Sequence, residues 1–352
     1  MGKGLARAQS VHVWCPEAAG PPPETPGLTI HQDFGHFAPA DLRRVGAALD
    51  RQPAPRRLLV QWVPHGFGYR SLNVMFAVWL ANRAWRRGDE LHVMIHEPFL
   101  RFSRRPLQFA AALVHRAMLA IAGSAATRIW ISIPSWADEI APYIPRRTPV
   151  QWLPIPAPDM LAATTDEVAA VRGRIGASTI LGHFGTFSPL ITPILERALD
   201  VVMERSNASV LLIGRDGDAF CRRFLSSRPD ATTRVHATGA LEADALCRHI
   251  QACDLMVQPY PDGVSSRRTS TLALMARGVP VVTNLGDLTE PFWKRSFAVA
   301  LVDQPDGARL GQTAVDLLQD EPKRREFADA ARDMYDRLFN VRHAVAALET
   351  SA

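Results

Sequence analysis

The stretch from Asp254 to Gly286, DLMVQPYPDGVSSRRTSTLALMARGVPVVTNLG, decides the fold that the sequence predicts. Its apolar run Leu255–Val257 predicts a short buried strand, which ends at the next two prolines because proline lacks the amide hydrogen of a ladder. Residues 262–266 then have the composition of a turn. A helix follows that Thr269 or Ser270 can cap, and it ends at a glycine before the apolar residues of a further strand. This order of strand, loop, helix and strand is typical of a parallel α/β sheet.

The start of this helix is a candidate phosphate site. Its first amides and the positive end of its dipole face the loop, and Arg267 and Arg268 lie beside it in the chain. A guanidinium can donate two hydrogen bonds at once to phosphate oxygens. Every α/β protein also has several solvent-exposed corners of this composition, so the residues alone leave both interpretations open.

The whole-chain composition is that of a globular protein with two domains. The chain has 352 residues, of which 47% are hydrophobic and 21% are charged. Its net charge of +5 favours acidic partners such as phosphates, nucleotides or anionic lipid, and no nucleic-acid-binding motif accompanies this charge. The four cysteines show no C-x-x-C spacing, which favours free thiols in a reducing cytoplasm. The first ten residues lack the apolar core of a signal peptide, so a cytoplasmic location is expected.

The N-terminal part, residues 1–154, alternates predicted strands and helices as in a doubly wound sheet. The predicted strands are Val11–Trp14, Leu28–His31, Leu58–Val63, Leu91–His96 and Arg128–Ser132, with helices near 71–87 and 106–123. Parallel sheets bind ligands at the carboxyl ends of their strands, so the residues that follow the strands are candidate site residues.

Two of these strand ends carry polar residues. One is PHGFGYR, with His65, Gly66 and Tyr69, and the other is HEPF, with His96 and Glu97. His96 suits a ligand contact, a general base or a histidine that is satisfied within a turn, and Glu97 suits acid–base chemistry or the charge at a helix start. The residues alone leave these alternatives open.

A second alternating series follows the irregular PIPAPDM segment, which predicts a linker, and occupies residues 155–338. Its predicted strands are Ile180–Phe184, Val210–Ile213, Arg234–His236, Leu255–Val257 and Val281–Thr283. Its predicted helices lie near 189–205, 218–226, 242–252, 270–277, 307–320 and 322–338, and a final helix within 339–352 is expected to pack on the N-terminal domain. The sequence therefore predicts two doubly wound α/β domains.

Five segments of the second series carry a family resemblance: LGHFGTF (Leu181–Phe187), LLIGRDG (Leu211–Gly217), HATGAL (His236–Leu241), ACDLMVQPYPDG (Ala252–Gly263) and ALMARGVPVV (Ala273–Val282). They resemble the nucleotide-sugar-binding domain of GT-B glycosyltransferases, most closely the retaining family 4. This resemblance covers residues 155–340 well and the N-terminal part more loosely. It implies two Rossmann-like domains that face a cleft. It also implies transfer of a sugar from a nucleoside diphosphate sugar, UDP- or GDP-sugar, to a lipid, polysaccharide or small-molecule acceptor, with no bound cofactor and no metal.

The resemblance also implies roles for individual residues. The donor diphosphate would contact Gly185, Thr186, Gly263, Ser265, Ser266, Arg267, Arg268, Thr269 and Ser270, and the nucleoside would contact Gly214, Arg215, Thr238 and Gly239. Catalytic positions would be His96, Glu97 and Asp262, and His65, Gly66 and Tyr69 would lie on the acceptor side. The protein then acts chiefly by positioning the substrates and stabilising charge on the leaving group.

The sequence departs from the family pattern in several places. Ser265 and Ala273 occupy the positions of two glutamates that the family usually carries eight residues apart, and residues 185–194 include no basic residue. We therefore expect the arginine pair to hold the diphosphate and Asp262 to replace a glutamate on the sugar. The usual first strand and its glycine-rich loop are not recognised either. A nucleotide-sugar 2-epimerase and a catalytically silent binding or partner subunit thus remain as alternatives.

Two further patterns each have two interpretations. Asp216-Gly217-Asp218 has the spelling of a D-x-D metal motif, but its position in a turn after a strand favours ordinary turn residues. The segment Arg101–Ala122 mixes arginines with large apolar residues. It suits peripheral contact with an anionic membrane or a core-packed helix with a basic edge, and His115 and Arg116 argue against a membrane-spanning helix.

Overall fold

The computed structural model describes residues 10–17, 24, 26–157 and 160–350. These residues divide into two units. Unit 1 ends at Pro154 and also takes up the chain from Ala344 onward, whereas unit 2 runs from Ile155 to His343. Both units are built from parallel strands joined by helices, as the sequence predicts for an α/β fold.

Unit 1 has two parallel sheets in its described residues. Strands β1 (Val11–Trp14) and β2 (Leu28–His31) have the predicted bounds and pair with each other. Strands β3 (Arg57–Trp62), β4 (Glu90–Ile95), β5 (Arg128–Ile131) and β6 (Val150–Trp152) form the second sheet, in that order. The first two strands therefore form a sheet of their own. In the larger sheet, the carboxyl ends of β3 and β4 are neighbours because Trp62 pairs with Ile95.

The helices of unit 1 alternate with these strands along the chain. They are α1 (Pro39–Asp50), α2 (Val74–Arg87), α3 (Pro106–Ala125) and α4 (Trp136–Ile140), with short 3-10 turns at Pro64–Gly66, Tyr69–Ser71 and Ala141–Tyr143. The Asn73 side chain caps α2 by accepting a hydrogen bond from the Phe76 amide. Gly88 ends the same helix in the left-handed conformation, with φ of 68°.

Unit 2 has one parallel sheet in its described residues. Its strands are β7 (Ile180–Phe184), β8 (Ser209–Ile213), β9 (Val235–Ala237), β10 (Leu255–Gln258), β11 (Val281–Asn284) and β12 (Ala300–Val302). They lie in the order β12-β11-β10-β7-β8-β9. The direction of winding reverses between β7 and β10, which is the topological switch point of a doubly wound sheet. Every predicted strand end in this unit lies within one residue of the observed one, but β12 was not predicted.

The helices of unit 2 cover the sheet. They are α5 (Thr165–Ile175), α6 (Thr192–Arg205), α7 (Gly217–Ser226), α8 (Ala243–Gln251), α9 (Thr269–Ala276), α10 (Pro291–Ser296), α11 (Gly307–Gln319) and α12 (Glu321–Met334). Helices α6 and α11 approach closely, because a β-carbon on Gly311 would lie only 2.5 Å from the carbonyl oxygen of Ala198. Leu199 and Leu310, both fully buried, join these helices to the core over the sheet.

The last helix, α13 (Val341–Thr350), follows a π-helical turn at Tyr335–Phe339. Its residues from Ala344 belong to unit 1. Nη1 of Arg57 donates a 2.6 Å hydrogen bond to the carbonyl oxygen of Leu348, which attaches this end of the chain to strand β3.

Candidate functional site

Strands β7, β8 and β9 each lead into a glycine turn, and the backbones of these turns touch. The Gly185 amide donates to the Ile213 carbonyl at 3.1 Å, and the Gly214 amide donates to the Gly239 carbonyl at 3.2 Å. The three glycines have φ of 153°, 143° and 62°, and a β-carbon on Gly214 would lie 2.3 Å from the Gly185 oxygen. Only glycine fits such an approach, so backbone groups line this part of the sheet edge. The structure thus brings together three residues that the sequence predicts for a donor site.

Thr186, Arg215 and Thr238 adjoin these glycines in the chain. Arg215 is exposed, and the Thr238 hydroxyl donates to the carbonyl oxygen of Gly239 at 2.9 Å. Asp216 is the N-cap residue of α7, so the D-x-D spelling belongs to a helix start. In the part of the chain that the structure describes, no group of three or more His, Cys, Asp or Glu side chains is placed to hold a metal ion.

The loop between β10 and α9 contains a carboxylate that bridges two guanidiniums. Nη2 of Arg267 donates to Oδ2 of Asp262 at 2.7 Å, and Nη2 of Arg268 donates to Oδ1 of the same carboxylate. The Arg268 guanidinium also lies 4.5 Å from the centre of the Tyr260 ring, in cation–π geometry. All three charged side chains are partly buried. The predicted arginine pair is therefore held in a fixed arrangement, and Asp262 is its counter-ion.

Helix α9 begins without a side-chain cap among the described residues. Its N-cap residue is Arg268, so the prediction that Thr269 or Ser270 caps the helix is wrong, and both lie within the first turn. The Ser270 hydroxyl lies 2.8 Å from the Tyr260 hydroxyl, a contact that holds it away from the capping position. The positive end of the helix dipole lies here and favours an anion, although the Thr269 amide already donates to the Arg267 carbonyl at 3.0 Å. Ser270 Oγ also lies 3.9 Å from the position of a β-carbon on Gly185, which brings the two predicted phosphate loops together.

Behind this loop lies a buried glutamate that is not among the predicted site residues. The Ser266 amide donates to Glu290 at 3.0 and 3.2 Å to the two carboxylate oxygens, and the Ser266 hydroxyl donates to Oε1. The Trp293 indole donates to Oε2 at 2.9 Å. Burial raises the pKa of Glu290, since few solvent dipoles reach its charged form. Ser265, next in the loop, is fully buried, and its hydroxyl has no hydrogen-bond partner among the described residues.

Gly263 and Gly286 join this loop to the segment that follows β11. Gly263 has φ of 83°, and a β-carbon on it would lie 2.3 Å from the Gly286 nitrogen. A β-carbon on Gly286 would in turn lie 2.4 Å from the carbonyl carbon of Asp262. The Leu288 amide donates to the Asp262 carbonyl at 3.0 Å. The loop is thus packed backbone to backbone, and its conformation is set by the neighbouring segment.

In unit 1, His96 and Glu97 follow strand β4. His96 Nε2 lies 2.7 Å from Oε1 of Gln61, and the His96 amide donates to the Trp62 carbonyl at 3.1 Å. Burial lowers the pKa of His96, so its imidazole is neutral at neutral pH. Glu97 Oε2 lies 3.8 Å from Nε2 of His65.

The predicted acceptor-side residues lie in the segment between β3 and α2. His65 and Gly66 form the 3-10 turn that follows β3, and the His65 ring packs edge to face on His115 at 5.4 Å. Tyr69 begins the next 3-10 turn, and its side chain lies outside the described part of the structure. Unit 1 therefore places His65, His96 and Glu97 at the ends of two paired strands.

No protein-family model matches this sequence, and no curated protein matches it. Solved structures do match. HepE from Anabaena, solved in complex with UDP, matches with a TM-score of 0.67 at 15% identity. The alignment covers 97% of this chain and 100% of the HepE chain. Sucrose-phosphate synthase from Thermosynechococcus elongatus has a TM-score of 0.74 at 15% identity, over 99% of this chain and 90% of that chain. WaaG, a glycosyltransferase involved in lipopolysaccharide biosynthesis, has a TM-score of 0.60 at 15% identity, over 95% of this chain and 89% of the WaaG chain.

The fold is GT-B. At 15% identity, these matches establish the fold alone. In this GT-B chain, the predicted diphosphate and nucleoside residues lie along one edge of the unit 2 sheet, and the predicted catalytic and acceptor residues other than Asp262 lie in unit 1. Sequence reasoning missed Tyr260 and Glu290. The one local indication for Glu290 was its place before a proline, where a helix begins.

Proposed function

We propose that this chain is a retaining glycosyltransferase of the hexosyltransferase type that moves a sugar from a nucleoside diphosphate sugar to an acceptor without a metal ion. The observation that carries the proposal is the uncapped start of α9 with its arginine pair, beside the switch point of a GT-B fold. HepE, which shares this fold, has been solved with UDP and with UDP-glucose. A UDP- or GDP-sugar is therefore the proposed donor, and family 4 is the proposed group.

The donor diphosphate is proposed to bind between Gly185–Thr186 and residues 263–270. The positive end of the α9 dipole would face one phosphate. Arg267 and Arg268 would divide their donors between Asp262 and the phosphate oxygens, since each guanidinium has five N–H groups. When the bond to the sugar breaks, negative charge grows on the diphosphate, and donors that are already in place stabilise it.

The nucleoside is proposed to bind at the turns that contain Gly214–Arg215 and Thr238–Gly239. These turns offer backbone amides and carbonyls, which suit the edge of a base, and the exposed Arg215 is free to reach the ribose or a phosphate. Selectivity between uracil and guanine would then depend on backbone positions, which the close glycine contact holds rigid.

The proposed roles in unit 1 rest on the family resemblance. His96 and Glu97 would contact the donor sugar near its reacting carbon, and His65, Gly66 and Tyr69 would lie on the acceptor side. A neutral His96 can offer a hydrogen bond without placing a cation beside the reacting carbon, which itself becomes positive in the transition state.

The first test is a thermal-shift panel with UDP, GDP, ADP and CMP. A nucleotide at one hundred times its Kd stabilises the folded state by about 2.7 kcal/mol, which is readily measured. We expect a rise with UDP or GDP that Arg268→Ala reduces and that Arg174→Ala, an exposed arginine on α5, leaves unchanged. A panel with no rise contradicts the proposal and favours a silent subunit.

The second test follows the sugar. Incubation with the matching nucleotide sugar alone should release free sugar slowly, whereas an epimerase would convert the sugar while it is still attached to the nucleotide. With an acceptor found by screening, NMR of the product gives the configuration at the transferred carbon. An inverted product contradicts the retaining mechanism, and a strict requirement for added divalent metal contradicts metal independence.

We also propose that unit 1 contacts an anionic membrane from the cytoplasmic side. Helices α2 and α3 pack against each other and leave large apolar side chains exposed: Leu107 (87%), Trp85 (65%), Met75 (50%), Leu113 (49%) and Phe109 (46%). The segment before α3 adds exposed Arg101, Arg104 and Arg105. Apolar side chains with an arginine border are typical of a surface that lies in the headgroup region of anionic lipid.

By length and composition alone, helix α3 could cross a membrane. However, 33% of its apolar stretch is buried in the structure. The fully buried His115 donates from Nε2 to the Ser71 carbonyl at 2.8 Å, which ties α3 to unit 1. We therefore propose peripheral contact and not a span.

Co-sedimentation with phosphatidylglycerol vesicles tests this contact. The protein should bind these vesicles at low salt and not phosphatidylcholine vesicles, because the arginines need anionic headgroups. Leu107→Ser combined with Phe109→Ser should reduce binding, whereas Leu161→Ser, an exposed leucine of unit 2, should not. A wild-type protein that stays in the supernatant with anionic vesicles refutes membrane contact and leaves the donor site unaffected.

A further inference from the structure

The hydrogen-bond ladder between β7 and β10 stops before either strand ends. The last pair between these strands is Gly182 with Met256. On their outer sides the same strands stay paired to their final residues, Phe184 with β8 and Gln258 with β11. The sheet therefore parts at its centre, at the switch point, toward the loops that carry the glycine turn and the arginine pair.

The side chain of Gln258 fills this gap and acts as a backbone peptide would. Its Nε2 donates to the Phe184 carbonyl at 2.7 Å, and its Oε1 accepts from the Phe184 amide at 3.3 Å. Directly paired strands lie about 4.8 Å apart, and a side-chain amide placed between two backbones needs more room. Because Gln258 is fully buried, this amide holds the strand ends apart from inside the sheet.

His183 makes a second bridge one residue earlier. Burial lowers its pKa to about 4, so the imidazole is neutral at neutral pH. Nδ1 of this neutral ring donates to the Val257 carbonyl at 2.8 Å. Together, the two side chains replace the missing ladder bonds with hydrogen bonds of ordinary length made through a side chain, and the backbone groups of Phe184 and Val257 that they contact remain satisfied.

We propose that Gln258 is a positioning residue that sets the width of the crevice for the donor diphosphate, and that His183 supports it. This inference rests on the proposed function. It predicts different effects on the two parts of the donor. The turns proposed to bind the nucleoside follow β8 and β9, on the other side of β7, where the hydrogen-bond ladder is intact. Recognition of the diphosphate should depend on Gln258, and recognition of the nucleoside should not.

Calorimetric titration with UDP and with uridine tests the proposal. If the wild type prefers guanine, GDP and guanosine are used instead. Gln258→Met keeps the length of the side chain and removes both bonds to Phe184, and Gln258→Asn keeps the amide but shortens its reach. Thr283→Val is the matched control, because the Thr283 hydroxyl donates to the Gln258 carbonyl at 2.6 Å on the intact side of β10. All three changes remove buried hydrogen bonds at the same level of the sheet.

We expect Q258M to weaken UDP binding at least about tenfold, equivalent to about 1.4 kcal/mol, with uridine binding changed less than about twofold. Q258N should show a smaller change of the same kind, and T283V should keep both affinities. Unchanged UDP binding in the Gln258 variants overturns the inference, and so does an equal loss of UDP and uridine, which indicates general damage. If Q258M does not fold, the ratio of the two affinities in Q258N decides. A wild-type protein that binds no nucleotide refutes the proposed function itself, so the two failures are distinguishable.

Discussion

Replacement of Glu290 by alanine should destabilise unit 2 by about 3 kcal/mol. The buried carboxylate accepts hydrogen bonds from the amide and hydroxyl of Ser266 and from the indole of Trp293. The hydroxyl can rotate, but the amide and the indole are fully buried and fixed, and each buried donor without a partner costs about 1–3 kcal/mol. The two unpaired donors together therefore cost about 2–6 kcal/mol. Part of this cost is offset because the variant no longer buries a carboxyl group.

Urea denaturation followed by circular dichroism measures this loss. A change of about 3 kcal/mol corresponds to a fall in Tm of about 6–12 °C for a unit of roughly this size. Glu326→Ala, an exposed glutamate on α12, is the matched control and should change stability by less than about 0.5 kcal/mol. If Glu290→Ala were as stable as that control, the carboxylate would not be holding the loop, and the reasoning would be refuted.

The same residue should give unit 2 a dependence on pH. Because burial raises the pKa of Glu290, the folded state keeps a proton that the unfolded chain has already lost. The carboxyl's contribution to stability is therefore fully present below the unfolded pKa and is lost as the pH rises through the folded pKa. Glu290→Gln cannot ionise, so its stability relative to wild type should improve across that window. Parallel stability curves from about pH 4 to pH 8 would contradict the raised pKa.

Three further predictions concern other parts of the molecule. Arg268→Ala should weaken UDP or GDP binding about 10- to 100-fold, since hydrogen bonds to charged groups contribute about 1.5–3 kcal/mol, and equal calorimetric affinities in Arg268→Ala and Arg174→Ala would contradict its phosphate role. Gly311→Ala should lower the free energy of unfolding by about 1–3 kcal/mol, because the new methyl would meet the Ala198 carbonyl at 2.5 Å, and a urea midpoint equal to that of wild type would show that the helices move apart freely. His96→Ala should lower kcat at least about tenfold with little change in the Kd for UDP, and a purely structural His96 would instead lower the melting temperature and leave kcat of the folded enzyme unchanged.

The strands of unit 2 were predictable because each is a short apolar run bounded by residues that stop a strand. β10 ends at two prolines, and β7 and β8 end at glycines with positive φ. The same reasoning missed β12 (Ala300–Val302), because it lies within the longer apolar run from Phe297 and no residue marks its start. Local composition therefore locates a strand well only where its limits are chemically distinct.

Pairing between distant segments was not predictable. Strands β1 and β2 have the expected bounds, but no residue pattern indicated that they would pair with each other apart from the larger sheet. Glu290 contacts Ser266 across 24 residues, and the Asp262 bridge depends on side-chain rotamers. Sequence reasoning thus found the residues with distinctive backbone chemistry, the glycines and the helix start, and missed the side chains that hold them in position.

The contact between Gly263 and Gly286 has an evolutionary consequence. Each glycine occupies the space that a side chain on the other would need, so a methyl at either position meets main-chain atoms that cannot rotate away. Relatives that retain this loop should therefore keep both glycines, and a relative that replaces one should also replace the other and remodel both segments. In a future alignment, the two positions should covary although they lie 23 residues apart in the chain.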